Sequence, residues 1–123
     1  MHTFPVLHSA GRVAAFEVEN AYVGPARLAR VLARVPGVAG VQLGPGPGGG
    51  SDVRARFAFR GRPCVVLEPF GDNSRYWVGP SDPEAGPFDA GPLEAAVRGY
   101  RVPALRRAVG DLLSLRVPFR ARA

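Results

Sequence analysis

Residues 53–67 read Val-Arg-Ala-Arg-Phe-Ala-Phe-Arg-Gly-Arg-Pro-Cys-Val-Val-Leu, and this stretch decides the fold class. Its first eight positions alternate, with one set facing a core and the other facing away: Val53, Ala55, Phe57 and Phe59 against Arg54, Arg56, Ala58 and Arg60. Gly61-Arg62 then makes a tight turn into the apolar run 64–67, which suits a central strand. The stretch therefore predicts two adjacent strands with one apolar face and one basic face.

The flanking sequence predicts three more strands and two helical regions. The strands lie at 12–19, 38–43 and 75–79, the first helix at 25–35, and the second helical region at 93–100 and 103–115. Leu28, Val31 and Leu32 form an apolar stripe on the first helix, so that helix needs an apolar sheet face to cover it. The connection at 79–91 carries three prolines and reads as irregular.

These elements predict an α+β domain with the order β-α-β-β-β-β-α. An antiparallel sheet of about five strands, with the helices packed on one face, buries the apolar stripes economically. Residues 1–123 form a single domain in this interpretation, with loose order expected at 1–10 and 116–123. The order resembles one half of the TATA-binding-protein fold over residues 12–115, an architectural resemblance that implies no function. The alternative is a ferredoxin-like sandwich, which requires a further strand near the C-terminus.

Positive charge is concentrated at the C-terminal end of the chain. Residues 98–123 contain seven arginines and one acid, Asp111, whereas residues 1–97 contain nine arginines and nine acids. A basic terminal segment on a neutral body can hold an anionic partner such as nucleic acid, a lipid headgroup or an acidic protein surface, and it can equally be a soluble helix with a ragged tail. No motif in the sequence decides between these two interpretations.

The composition of the chain limits the classes of protein to which it can belong. All sixteen basic residues are arginine and none is lysine, which indicates the GC-rich codon usage of some bacteria. The N-terminus lacks the charged and apolar regions of a signal peptide, and no run of about 18 apolar residues occurs. We therefore expect a cytoplasmic protein without a membrane partner.

The sequence offers little for catalysis or cofactor binding. Cys64 is the only cysteine and lies in an apolar run, so we expect a buried, unreactive thiol. The glycines at 44, 46 and 49 match a dinucleotide-binding pattern, but a strand and not a helix follows them, and Pro45 and Pro47 remove N–H donors. We expect neither enzymatic activity, nor a cofactor, nor a metal site.

The basic face of the predicted sheet is the first candidate binding surface. It contains Arg54, Arg56 and Arg60, and the last strand adds Arg75 and Trp77. Arginines beside an exposed aromatic ring are what a single-stranded nucleic-acid platform uses. The alternative is that glutamates on neighbouring strands pair with these arginines across the sheet, namely Glu17, Glu19 and Glu68.

The turn before the last strand is the second candidate. Asp72 and Asn73 stand there beside Arg75, and Trp77 follows as the only tryptophan of the chain. Such groups converge when a rigid sheet holds the loop, although Asp and Asn also simply form turns. A shift of one residue in register would exchange Trp77 with Tyr76, so the sequence leaves open which ring faces the core.

The interpretation that we favour is a small non-enzymatic protein-interaction module. Self-association is one form of it, through an exposed edge strand or through the face that carries Trp77. The alternative function is nucleic-acid binding through the arginine-rich sheet face and the basic C-terminal helix. Its weakness is that acids fully balance the basic residues of 1–97.

Overall fold

The computed structural model describes residues 1–7, 11–19, 23–44, 52–68 and 75–101. These residues form six strands, two α-helices and one 3₁₀ helix. In chain order they are β1 (Thr3–Leu7), β2 (Val13–Glu19), α1 (Pro25–Ala33), β3 (Val38–Leu43), β4 (Val53–Phe59), β5 (Arg62–Leu67), β6 (Arg75–Pro80), a 3₁₀ helix (Pro83–Ala85) and α2 (Gly91–Gly99). The predicted mixed fold with one antiparallel sheet is confirmed.

All six strands belong to one antiparallel sheet in the spatial order β1-β2-β6-β5-β4-β3. After β2 the chain passes through α1 to β3 at the far edge, and the meander β3–β6 then returns to pair with β2. Helix α1 contacts β3 and β4, and α2 contacts β1 and β2. The two helices also touch each other, so together they cover one face of the sheet.

The hydrophobic core lies between this sheet face and the two helices. The alternation read from the sequence holds in β4, where Ala55, Phe57 and Phe59 are buried while Arg54 and Arg56 are partly exposed. The other fully buried side chains of the core come from every layer: Phe16, Val18, Val23, Leu28, Leu32, Cys64, Val66, Val78, Leu93 and Val97. The predicted apolar stripe of α1 thus packs against the predicted apolar face of the sheet.

Strand β1 is an element that the sequence analysis does not predict, so the sheet has six strands and not about five. It lies within residues 1–10, for which the sequence suggests loose order, and it pairs with β2 from Thr3↔Val18 to Leu7↔Val13. The added strand is at the N-terminal end, whereas the ferredoxin-like alternative needs one near the C-terminus. Residues 102–123, with the predicted helix 103–115, lie outside the described residues.

A buried polar cluster fastens β1 to α2. The Thr3 hydroxyl donates a hydrogen bond to Glu94 Oε2, and Arg98 Nη1 lies 3.0 Å from Glu94 Oε1. Both Thr3 and Glu94 are buried, so their polar atoms need these partners. The contact explains how a short strand without apolar alternation is held in the sheet.

Arg60 does not lie on the basic sheet face where the sequence predicts it. Strand β4 ends at Phe59, and Arg60 occupies the following turn with a φ of 52° beside Gly61 at 82°. Two successive positive φ angles are the geometry of a two-residue hairpin turn. The Arg60 guanidinium lies over the Phe59 ring, 4.7 Å from its centre, and therefore does not extend the row formed by Arg54 and Arg56.

Replacement of Leu32 by alanine tests the core. Leu32 is fully buried, so Leu32→Ala should lower the free energy of unfolding by ~2–5 kcal/mol, the usual cost of lost contacts plus a cavity. Urea denaturation measures it. Leu43→Ala is the matched control, because Leu43 is 58% exposed and should lose much less. Equal losses in the two variants would contradict the packing described here.

Candidate functional site

The register of β6 decides which aromatic ring faces outward. Tyr76 is buried in the core, where its hydroxyl donates a hydrogen bond to the Val23 carbonyl oxygen over 3.1 Å. Trp77 and Arg75 therefore point to the sheet surface opposite the helices, and both are partly exposed. We call this surface the open face. Its described members include Phe4, Val6, Ala15, Glu17, Arg54, Arg56, Val65, Leu67, Arg75 and Trp77.

Two of the predicted arginines are ion-paired on or beside the open face. Arg54 Nε lies 2.9 Å from Glu68 Oε1, and Arg75 Nη1 lies 3.0 Å from Glu17 Oε1. The Arg75 guanidinium also lies over the Phe4 ring, 3.6 Å from its centre. Partly exposed pairs of this kind contribute only about 0–1 kcal/mol each to stability. Their main effect is to neutralise the face, as the glutamate alternative predicts.

The remaining predicted site residues are distributed differently. Arg56 lies on β4 opposite Val65 of β5, on the open face. Arg60 lies in the turn after β4, away from that row. Asp72 and Asn73 lie outside the described residues, as does the glycine loop at 45–50. The structure thus brings together Arg54, Arg56, Arg75 and Trp77 on one sheet surface.

The Trp77 indole is seated on a glycine. A Cβ atom built on Gly79 would lie 2.6 Å from indole Cη2 and 2.8 Å from the Ala15 Cβ. No carbon atom fits at those distances, so the absence of a side chain at Gly79 is what lets the indole lie flat over β6. The sequence alone does not single out Gly79, although the spacing Trp77-x-Gly79 places both residues on one face of a strand.

A groove opens beside the indole at the end of the sheet. We call it the end groove. Its volume is about 580 Å³, and the described residues that line it are Val6, Arg12, Ala14, Ala15, Trp77, Pro80, Pro83, Gly86, Pro87 and Phe88. Apart from Arg12 and the indole N–H, these side chains are apolar. The groove cannot be predicted from the sequence, because its residues come from four separate segments of the chain.

Arg62 holds the outer wall of the end groove in place. Its guanidinium donates hydrogen bonds to three backbone carbonyl oxygens of the connection between β6 and α2: Asp82 at 3.0 Å, Gly86 at 3.1 Å and Pro87 at 3.0 Å. The Phe88 ring lies below the same guanidinium at 5.3 Å and packs edge-on against Phe59. A proline-rich connection therefore has a defined shape.

The described residues contain neither an accessible thiol nor a cluster of possible metal ligands. Cys64 is buried, and burial raises the pKa of its thiol from 9.0 to about 11, although a backbone hydrogen bond at Phe59 and the charge of Arg62 act in the opposite direction. No group of three or more possible metal-ligating side chains occurs in the described part of the chain. The described residues also include no helix that is long and apolar enough to cross a membrane.

Comparison with known proteins gives no further guidance: no family model, no curated protein and no solved structure matches this chain.

The state of Cys64 gives a test of burial. At pH 8 the folded protein should react with a thiol-specific disulfide reagent far more slowly than the protein in denaturant, because the buried thiol stays protonated and inaccessible. Between pH 9 and about 11 only the unfolded thiol ionises, so the free energy of unfolding should fall as the pH rises through that range. Equal reaction rates in the folded and denatured protein would contradict burial.

Gly79→Ala tests the seat of the indole. The added methyl group must displace Trp77, and overpacking of this kind costs ~1–3 kcal/mol. We expect a lower free energy of unfolding and a red shift of tryptophan emission as the ring moves into water. Gly99→Ala is the control, since a Cβ there meets nothing within 4 Å. An unchanged emission spectrum in Gly79→Ala would show that the indole does not lie on this glycine.

Proposed function

We propose that this protein is a small non-enzymatic interaction domain that binds a protein partner, in the first place a second copy of itself, through the open face. The observation that carries the proposal is the partly exposed Trp77 on a sheet surface that neither helix covers. Tryptophan is over-represented among the residues that dominate protein–protein binding energy.

The apolar neighbours of Trp77 support this proposal. Phe4 and Val6 on β1 and Leu67 on β5 flank it on the same face, and Val6 is 44% exposed. The charges at hand are already compensated, because Arg75 pairs with Glu17 and Arg54 with Glu68. An apolar patch rimmed by neutralised pairs can be buried against a partner without leaving an unpaired charge.

The two edge strands favour association through the face over association through an edge. Pro5 lies in β1 at one edge, and proline lacks the N–H that an added strand would use. At the other edge Gly40 has a φ of 65°, and the β3–β4 register is irregular between Ala39 and Gln42. Both features interrupt a continuous hydrogen-bonding edge, so of the two routes to self-association we propose the Trp77 face.

Nucleic-acid binding is the weaker candidate. A phosphate backbone binds where cations are available and acids are few. On the open face the guanidinium groups of Arg54 and Arg75 already contact carboxylates, and Glu17 and Glu68 would repel phosphate. The basic segment 102–123, on which this alternative also depends, lies outside the described residues.

The proposal retains three further expectations from the sequence. These are that the domain spans residues 1–123, that it acts in the cytoplasm, and that the order β2-α1-β3-β4-β5-β6-α2 belongs to the architecture of one half of the TATA-binding-protein fold. The last of these is a statement about architecture alone, and the function proposed here does not draw on it.

Trp77→Ala tests the proposal. Sedimentation equilibrium of the purified protein should show a reversible dimer, and Trp77→Ala should weaken it by ~2 kcal/mol or more, the size expected for a central interface residue. The melting temperature should stay within a few degrees of wild type. Leu43→Ala, an exposed residue of the far edge strand, is the control and should dimerise normally.

Two further measurements separate the alternatives. If Trp77→Ala fails to fold, Val6→Asp places a charge on the same face at an exposed position and should also abolish the dimer. A wild-type protein that stays monomeric at high concentration would contradict self-association. Tight binding of single-stranded DNA with a steep negative salt dependence would favour the nucleic-acid alternative instead.

A further inference from the structure

The end groove has the size and the lining of a small-molecule site. Its volume of about 580 Å³ falls within the range of roughly 300–1,000 Å³ that ligand pockets occupy. The Trp77 indole, Ala14 and Ala15 lie at its base, and the connection that contains Pro83 and Pro87 forms a wall. Such sites are predominantly apolar with a small number of polar groups that fix the ligand's orientation.

The wall is fixed before any ligand arrives. Arg62 donates to three carbonyl oxygens of the 82–87 connection, and Phe88 packs against Phe59 of the sheet. On the opposite side β1 is fastened through the contact of Thr3 with the buried Glu94. A groove with two anchored sides binds with less loss of conformational entropy than one formed by free loops.

Arg12 supplies the charge. It is exposed, it is the only charged residue among those described that line the groove, and it has no hydrogen-bond or ion-pair partner within the described ranges. It contrasts with Arg54 and Arg75, whose guanidinium groups are engaged by glutamates. A planar guanidinium with free donors is suited to a carboxylate, which it can hold through two parallel hydrogen bonds.

The rest of the lining favours a monoanion. A phosphate dianion needs several donors, whereas the groove adds prolines at positions 80, 83 and 87, which have no backbone N–H. A carboxylate satisfied by Arg12 leaves an apolar body to fill the remaining volume against the indole and the proline rings. We propose that the end groove binds a small monocarboxylic acid with an aliphatic or aromatic body, its carboxylate on Arg12 and its body over Trp77. This inference goes beyond the proposed function, because it needs no second copy of the chain.

Trp77 provides the readout, since it is the only tryptophan of the protein and lies in the groove. Three probes share one chain length and differ in headgroup charge: decanoate, decanol and decyltrimethylammonium, each used below its micelle concentration. Decanoate should change the tryptophan emission saturably and bind roughly tenfold more tightly than decanol, the ratio expected for one charge-assisted contact. The cationic probe should bind most weakly.

Arg12→Gln should remove the preference for decanoate over decanol, and Arg12→Lys should keep part of it, because lysine retains the charge without the planar fork. Arg27→Gln is the matched control, as Arg27 is exposed on α1, away from the groove. An unaltered preference in Arg12→Gln, or equal binding of the acid and the alcohol by the wild-type protein, would overturn the proposal. So would binding of an acetylated apolar dipeptide through its free C-terminal carboxylate when decanoate does not bind, since the occupant would then be a peptide.

Sedimentation of the same proteins without decanoate separates this proposal from self-association, because a ligand over Trp77 and a second copy on the open face would compete for the same ring. Arg12→Gln should leave the dimer unchanged while it lowers decanoate binding. Saturable decanoate binding by a protein that stays monomeric would support the groove and contradict the dimer. A dimer whose tryptophan emission does not change with decanoate would support self-association and contradict the proposed ligand site in the groove.

Discussion

The hydrogen bond from the Tyr76 hydroxyl to the Val23 carbonyl oxygen marks the constraint on which the surface of this protein depends. Strand β6 lies inside the sheet, between β2 and β5, and its side chains alternate strictly between the two faces. With Tyr76 and Val78 committed to the core, Trp77 has to face away from the helices, and Gly79 falls on its side of the strand. The indole, its glycine seat and the groove beside it therefore follow from one choice of register.

The charges of the sheet show how a basic sequence can give a nearly neutral surface. Arg54 and Arg75 look available to an anionic partner when each strand is read alone, because neither arginine has an acid beside it in its own strand. The antiparallel pairing of β2 with β6 places Glu17 directly opposite Trp77, within reach of Arg75. Charge on a sheet is thus a property of neighbouring strands. A surface rich in arginine can serve apolar recognition, while Arg12, which has no partner among the described residues, can confer specificity.

The sequence predicts some elements of the fold and of the candidate site better than others. The period of two in β4 predicts its core side chains correctly, since alternation along one strand needs no knowledge of its partners. Strand β1 escapes prediction because its five residues include Pro5 and lack alternation, and its place depends on pairing with β2 and on the distant Glu94. The end groove escapes for the same reason: Arg12, Trp77 and Phe88 meet only in the folded sheet. Arg62, read as a turn residue, acquires its role from carbonyl groups some twenty positions further on.

The order of strands has a consequence for how the chain folds. Every strand pair in the described sheet joins sequence neighbours except β2 with β6, which meet only after the whole meander β3–β5 has been made. Closing that long loop costs more chain entropy than closing any hairpin of this sheet. The β1–β2 hairpin and the meander can therefore each form before β2 pairs with β6. The seam between them runs beneath Trp77. Because the surface around Trp77 spans the seam between β2 and β6, it is complete only when these two strands have paired.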